Sequence, residues 1–129
     1  MPELLITGRE SDYLAEFIRT YQYKSGGFSE EDLDAYARHL ASPGGLPGAL
    51  GVYRAIAAEA PALVQLTNTK LTIPVWAVGG DHSMGMGPFE QFQHLAESVT
   101  GGVINDCGHW VIEEQSTRLL EDLGQFLRE

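Results

Sequence analysis

The chain's 129 residues suit one compact domain and are too few for two. Hydrophobic residues make up 43%, enough to build a core and too many for global disorder. The 18 acidic residues against 8 basic ones leave a formal net charge of −10, which repels nucleic acid and anionic lipid surfaces.

In chain order the first half reads as helices. Ser11 is placed to cap a helix whose apolar residues Tyr13, Leu14, Phe17, Ile18 and Tyr21 follow the helical period. Tyr23 to Phe28, with Gly26 and Gly27, is expected as a loop. Ser29 then precedes Glu30, Glu31 and Asp32, which suits a helix N-terminus and its partial positive charge. Leu33, Tyr36, Ala37 and Leu40 form one stripe of that helix, and Ser42 to Pro47 breaks it. A third helix is expected from about Gly48 to Glu59, with Leu46, Ala49, Leu50, Tyr53, Ile56 and Ala57 on its apolar face and Pro61 at its end.

The second half alternates. Ile73 to Val78 is a short apolar run closed by Gly79 and Gly80, and reads as a buried strand. Pro88 opens a helix through Phe89, Phe92, Leu95, Ala96 and Val99, which Gly101 and Gly102 end. Val103 and Ile104 begin a second strand that runs into Cys107, Gly108 and His109. Ser116 to Leu127 closes the chain as an amphipathic helix. Helices followed by strand-helix-strand-helix give an α/β protein with one crossover unit of a parallel sheet. Two strands alone lack neighbours and cover on both faces, so more sheet is expected beside them.

Several classes fall away. Cys107 is the single cysteine, so neither an intrachain disulfide nor a cysteine-based zinc site can form. His39, His82 and His94 stand at no metal-ligand spacing, and no Lys follows the glycine-rich run Gly79–Gly87 in a phosphate-loop pattern. No apolar run approaches the ~18 residues of a membrane span. Met1 to Ile6 has no basic region or cleavage-type signal, from which a cytoplasmic location is expected.

The sharpest feature is Asp106-Cys107-Gly108-His109-Trp110, with Glu113 and Glu114 after it, directly behind a strand. Ligands bind at the C-terminal ends of strands in open α/β sheets. A glycine before the histidine lets the backbone turn sharply, and an imidazole titrating near neutrality can accept and return one proton. Cys107 reads as a small buried residue, and Trp110 as either pocket lining or packing.

Ile73-Pro74-Val75-Trp76-Ala77-Val78-Gly79-Gly80, a helix, and then Cys107-Gly108-His109-Trp110-Val111-Ile112-Glu113-Glu114 resemble the C-terminal half of the α/β-hydrolase superfamily. Gly51-Val52-Tyr53-Arg54-Ala55 is similar to a cap-helix segment of the epoxide hydrolases and haloalkane dehalogenases within it. The resemblance covers nearly the whole chain. It implies a helical cap segment over residues 1–66 and the C-terminal part of the hydrolase core over 67–129. It implies His109 as the histidine that activates water, and Tyr53 as the cap tyrosine that donates to the epoxide oxygen during ring opening. No cofactor and no metal is implied. The family's nucleophile sits on a Gly-x-nucleophile-x-Gly elbow, and none precedes the cap region in these 129 residues. By the register of Ile73-Pro74 the place of the family's acid falls near Ser83, two residues past Asp81. Either Asp81 reaches the histidine or the acid lies upstream.

Two functions compete. One is the C-terminal half of an epoxide-hydrolase-like enzyme, inactive without a nucleophile-bearing half, taking a small-molecule epoxide or related halide. The other is a non-catalytic domain that uses this part of the fold for binding or assembly. The partners expected are an N-terminal half or a second copy of the chain, and neither nucleic acid nor a membrane.

Overall fold

A computed structural model describes residues 2–66 and 68–128. Four helices come first: α1 (Pro2–Ile6), α2 (Glu10–Tyr21), α3 (Glu30–Ala41) and α4 (Gly45–Leu66). They are followed by β1 (Val75–Gly80), α5 (Gly87–Leu95), β2 (Val99–Ile104), α6 (Val111–Glu114) and α7 (Ser116–Phe126). Contacts divide the chain into a helical unit, residues 1–20 with 28–63, and a sheet unit, residues 21–27 with 64–129. Thr67, the first residue of the expected core segment, lies outside the described residues.

In the helical unit α3 begins as its sequence requires. The Ser29 side chain accepts the Asp32 N–H at 3.1 Å and the Asp32 carboxylate accepts the Ser29 N–H at 3.0 Å, a reciprocal capping box. Ser11 does not cap α2. The helix starts one residue earlier, and the Glu10 carboxylate accepts the Gly8 N–H at 3.0 Å. Gly8, at φ +80°, supplies the left-handed turn that separates α1 from α2. The break after α3 is confined to Ser42–Gly44, so Pro47 falls in the first turn of α4, where a missing N–H is harmless. The expected end at Pro61 is also displaced. α4 continues through Pro61 to Leu66, the proline removing one N–H without stopping the helix. Ile6, Ile18, Ala37 and Leu46 form the buried centre of the unit, and the Ala57 side chain lies outside the described ones.

In the sheet unit β1 and β2 pair in parallel, from Val75 opposite Val99 to Gly80 opposite Ile104, with α5 as the crossover. The element types are those expected, but both strands are shifted. β1 contains Gly79 and Gly80 instead of stopping before them. α5 ends at Leu95, and β2 starts at Val99 and contains Gly101 and Gly102. Glycine is ordinarily a strand breaker, and here it is a packing requirement. A Cβ on Gly101 would strike the Ala77 carbonyl of the neighbouring strand, and one on Gly80 would strike the carbonyls of Cys107 and Gly108. Gly101 and Gly102 also hold φ of +122° and +134°, which L side chains avoid. The buried hydrophobic residues of this unit, Ala77, Ala96, Ile104 and Cys107, are small except for Ile104.

Candidate active site

The site is built where the two strands end. Past Ile104 the chain turns through Asn105 and Asp106, the latter at φ +56°, a conformation that Asp tolerates better than most residues. Asp81, the first residue after β1, fixes this turn. Its carboxylate accepts the Asp106 N–H at 3.0 Å and the Cys107 N–H at 2.9 Å. The Cys107 N–H, chief among its partners, holds the Asp81 carboxyl below the usual carboxylate range against partial desolvation. The backbone completes the lacing: Asp81 N–H donates to Ile104 and His82 N–H to Cys107, at 3.0 and 2.9 Å. The Cys107 side chain is fully buried. Burial first, then the Glu114 and Asp81 carboxylates, push its thiol up to about 11. It is therefore a protonated packing group at neutral pH and not a nucleophile.

Gly108 follows, at a point where no side chain fits. A Cβ there would lie 2.5 Å from the Tyr23 nitrogen and 2.7 Å from both the Tyr21 carbonyl and the Glu114 carboxylate. The segment Tyr21–Gly27, expected as a plain loop in its latter part, is thus packed on the histidine loop. Glu114 binds both. Its carboxylate accepts the N–H groups of Tyr23 (2.8 Å), Lys24 (3.1 Å), Gly108 (3.0 Å) and Trp110 (3.1 Å). Burial raises the Glu114 carboxyl, and the four donors together outweigh it, so the net shift is downward. In the sequence Glu114 was only a residue after the histidine motif, and no spacing rule marks it as the hub of four backbone donors.

His109 stands on this platform. Its N–H donates to the Tyr21 carbonyl at 2.9 Å, and its ring is exposed. The Trp110 ring meets the imidazole edge-on at 5.1 Å between centroids, and the Tyr21 ring lies tilted at 5.9 Å. Nδ1 lies 3.3 Å from Ser83 Oγ. Asp81 is turned to the backbone, and the side chain that touches the imidazole is Ser83, which stands near the place of the family's acid but carries no carboxylate. A histidine whose Nδ1–H donates to an acceptor presents a bare Nε2, the atom that takes a proton from water. Next to it, His82 stacks on Tyr23 with centroids 3.5 Å apart.

Tyr53 belongs to the helical unit. It lies on α4, is 63% exposed, and lines a cavity of about 650 Å³ with Leu5, Tyr13, Phe17 and Leu50. Among the described residues no group of three or more His, Cys, Asp or Glu side chains could hold a metal ion, and no helix is long and apolar enough to cross a membrane.

No family model matches the chain. A soluble epoxide hydrolase from Corynebacterium sp. (strain C12) is 36% identical over a 117-residue alignment that covers 88% of this chain and 40% of that protein. Among solved structures, the epoxide hydrolase CorEH without ligand superposes with a TM-score of 0.88 at 34% identity, over 97% of this chain and 44% of its own. The chain carries the C-terminal part of an epoxide-hydrolase-like α/β-hydrolase fold. Cfl2 from Burkholderia cenocepacia also superposes, with a TM-score of 0.87 at 35% identity over 98% of this chain and 43% of its own. An α/β-hydrolase from Nostoc sp. PCC 7120 shares the fold at 22% identity and a TM-score of 0.88. This epoxide-hydrolase-like chain spans about two fifths of the length of the curated relative it matches.

Proposed function

We propose that this chain supplies the water-activating base, His109, and the ring-opening acid, Tyr53, of an epoxide hydrolase. The observation that carries this reading is the placement of His109. It follows a parallel strand, is held by Tyr21 and flanked by Glu114's hydrogen bonds, and has Nδ1 engaged by Ser83, in a chain 36% identical to a soluble epoxide hydrolase.

In the proposed reaction an aspartate of the complete enzyme attacks an epoxide carbon. The carbon–oxygen bond breaks as an ester forms, and the alkoxide takes the phenolic proton of Tyr53. His109 Nε2 then removes a proton from water. The hydroxide attacks the ester carbonyl, the diol leaves, the carboxylate returns, and the histidine's proton restores the phenol. The sum is epoxide plus water to vicinal diol. These 129 residues contain no nucleophile elbow, so the chain alone is expected to leave a simple aryl epoxide intact.

The test is made in a complete polypeptide that carries the nucleophile. His109→Ala should let the ester form and stop its hydrolysis, visible by intact mass as protein plus one epoxide. Rapid turnover by that variant would remove His109 from its role. Turnover by the 129-residue chain itself, abolished by His109→Ala, would show instead that its own residues provide a nucleophile.

A further inference from the structure

We infer that Glu114 is the positioning residue of His109, gripping the backbone on both sides of the histidine and tying it to the segment Tyr21–Gly27. The inference depends on His109 being the base only for its functional meaning, since the geometry stands by itself. Gly108, His109 and Trp110 donate three consecutive N–H groups, and all are taken. The outer two go to Glu114 and the middle one to the Tyr21 carbonyl. The same carboxylate takes Tyr23 and Lys24, next along from Tyr21. A loop residue usually keeps its place through side-chain packing, but the His109 ring is exposed. Its contacts with Ser83, Tyr21 and Trp110 therefore depend on where the backbone holds the ring, and Glu114 takes the N–H groups on both sides of that backbone.

The distribution of donors explains why an acid is needed. Oε2 accepts from Tyr23, Lys24 and Gly108, and Oε1 from Trp110. Glutamine has one acceptor oxygen in place of two. With that oxygen on the three donors, its NH₂ group would face the Trp110 N–H, donor against donor. Trp110 carries the indole that meets the imidazole edge-on. Gly108 serves the same grip by letting Tyr21, Tyr23 and Glu114 close on it.

The experiment is NMR on the 129-residue chain. Glu114→Gln should speed exchange of the His109 and Trp110 amides about tenfold or more, as a lost buried hydrogen bond allows local opening. It should also move the His109 ring ¹⁵N shifts, which report its tautomer, and leave those of His82 in place. Glu121→Gln, an equal loss of charge on α7, should do neither. Glu114→Asp keeps the charge and should recover the ring shifts in part. Unchanged His109 shifts and exchange in Glu114→Gln would overturn the inference. If that variant does not fold, the wild-type chain decides. Couplings across the hydrogen bonds from the Gly108 and Trp110 nitrogens to the Glu114 carboxyl carbon are expected, and their absence overturns it. Loss of the His109 catalytic role in a complete enzyme would leave these spectra unaltered, so the two ideas fail separately.

Discussion

Asp81, Cys107 and Glu114 stand within a few ångströms of the same turn and respond to pH in opposite directions. Both carboxyls are lowered in the folded chain from ordinary values of 3.8 and 4.5. Their contribution to stability is complete above about 4.5 and is lost as pH falls through the lower folded values. The amides of Asp106, Cys107, Gly108 and Trp110 should therefore lose exchange protection on acidification, ahead of those that pair β1 with β2. Equal loss along the sheet would contradict this. The thiol behaves in reverse. It is raised from 9.0 to about 11, so its contribution is full below pH 9.0 and disappears as pH climbs through about 11. Cys107→Ala is expected to cost ~1 kcal/mol at neutral pH, as a small core truncation does. It should also flatten the decline in melting temperature above pH 9.0. An alkylating reagent at pH 7 should modify Cys107 only when denaturant is present. At this scale the sequence was readable where one residue type announces one chemistry, as with His109 after Gly108. Glu114 and Tyr21 were not readable, because backbone N–H and C=O groups carry no sequence signature and these partners lie far apart along the chain.

Elements were readable by type and less so by boundary. Ser29 and Ser11 make the comparison sharp, since both look like helix caps. Ser29 closes a capping box, while Ser11 sits inside the first turn of α2 because Gly8 and Glu10 already form the start. Ser29→Ala is accordingly expected to cost ~1 kcal/mol and Ser11→Ala under ~0.5 kcal/mol. Chemical denaturation of the two variants side by side tests this, and equal losses would show that Ser11 also caps. The strand ends moved for a related reason. On local propensity Gly79, Gly80, Gly101 and Gly102 are terminators, yet they are the residues that let two backbones and the histidine loop approach. Tertiary contact overrode propensity there. At Pro61 the helix continued through a residue whose local rule says stop.

At the scale of the whole molecule the charge favours a hydrated surface, and the exposed apolar positions point to association. Among the described residues the sheet has two strands, and a sheet of this size has open hydrogen-bonding edges. In the sheet unit Ile73, Ile112, Leu120 and Leu127 are exposed, and α7 buries no residue fully despite its apolar stripe. In the helical unit Leu4, Leu5, Val52 and Ile56 are exposed as well. Each backbone group buried without a partner costs on the order of 1–3 kcal/mol, so a dry interface needs matching donors and acceptors and not apolar area alone. Only a strand or a helix terminus supplies those in series. The relatives that superpose on this chain are more than twice as long. A second copy can offer its own edge through a two-fold axis, the commonest arrangement for identical chains. We predict that the 129-residue chain, alone at micromolar concentration, sediments as a dimer or larger, with an apolar interface above roughly 2,000 Å². Adding a nucleophile-bearing α/β-hydrolase half should convert that assembly into a one-to-one complex, because both occupants need the same open edge. A cooperatively folding monomer that binds no hydrophobic dye would show that the described strands and helices close their own core, and the need for a partner would then be gone.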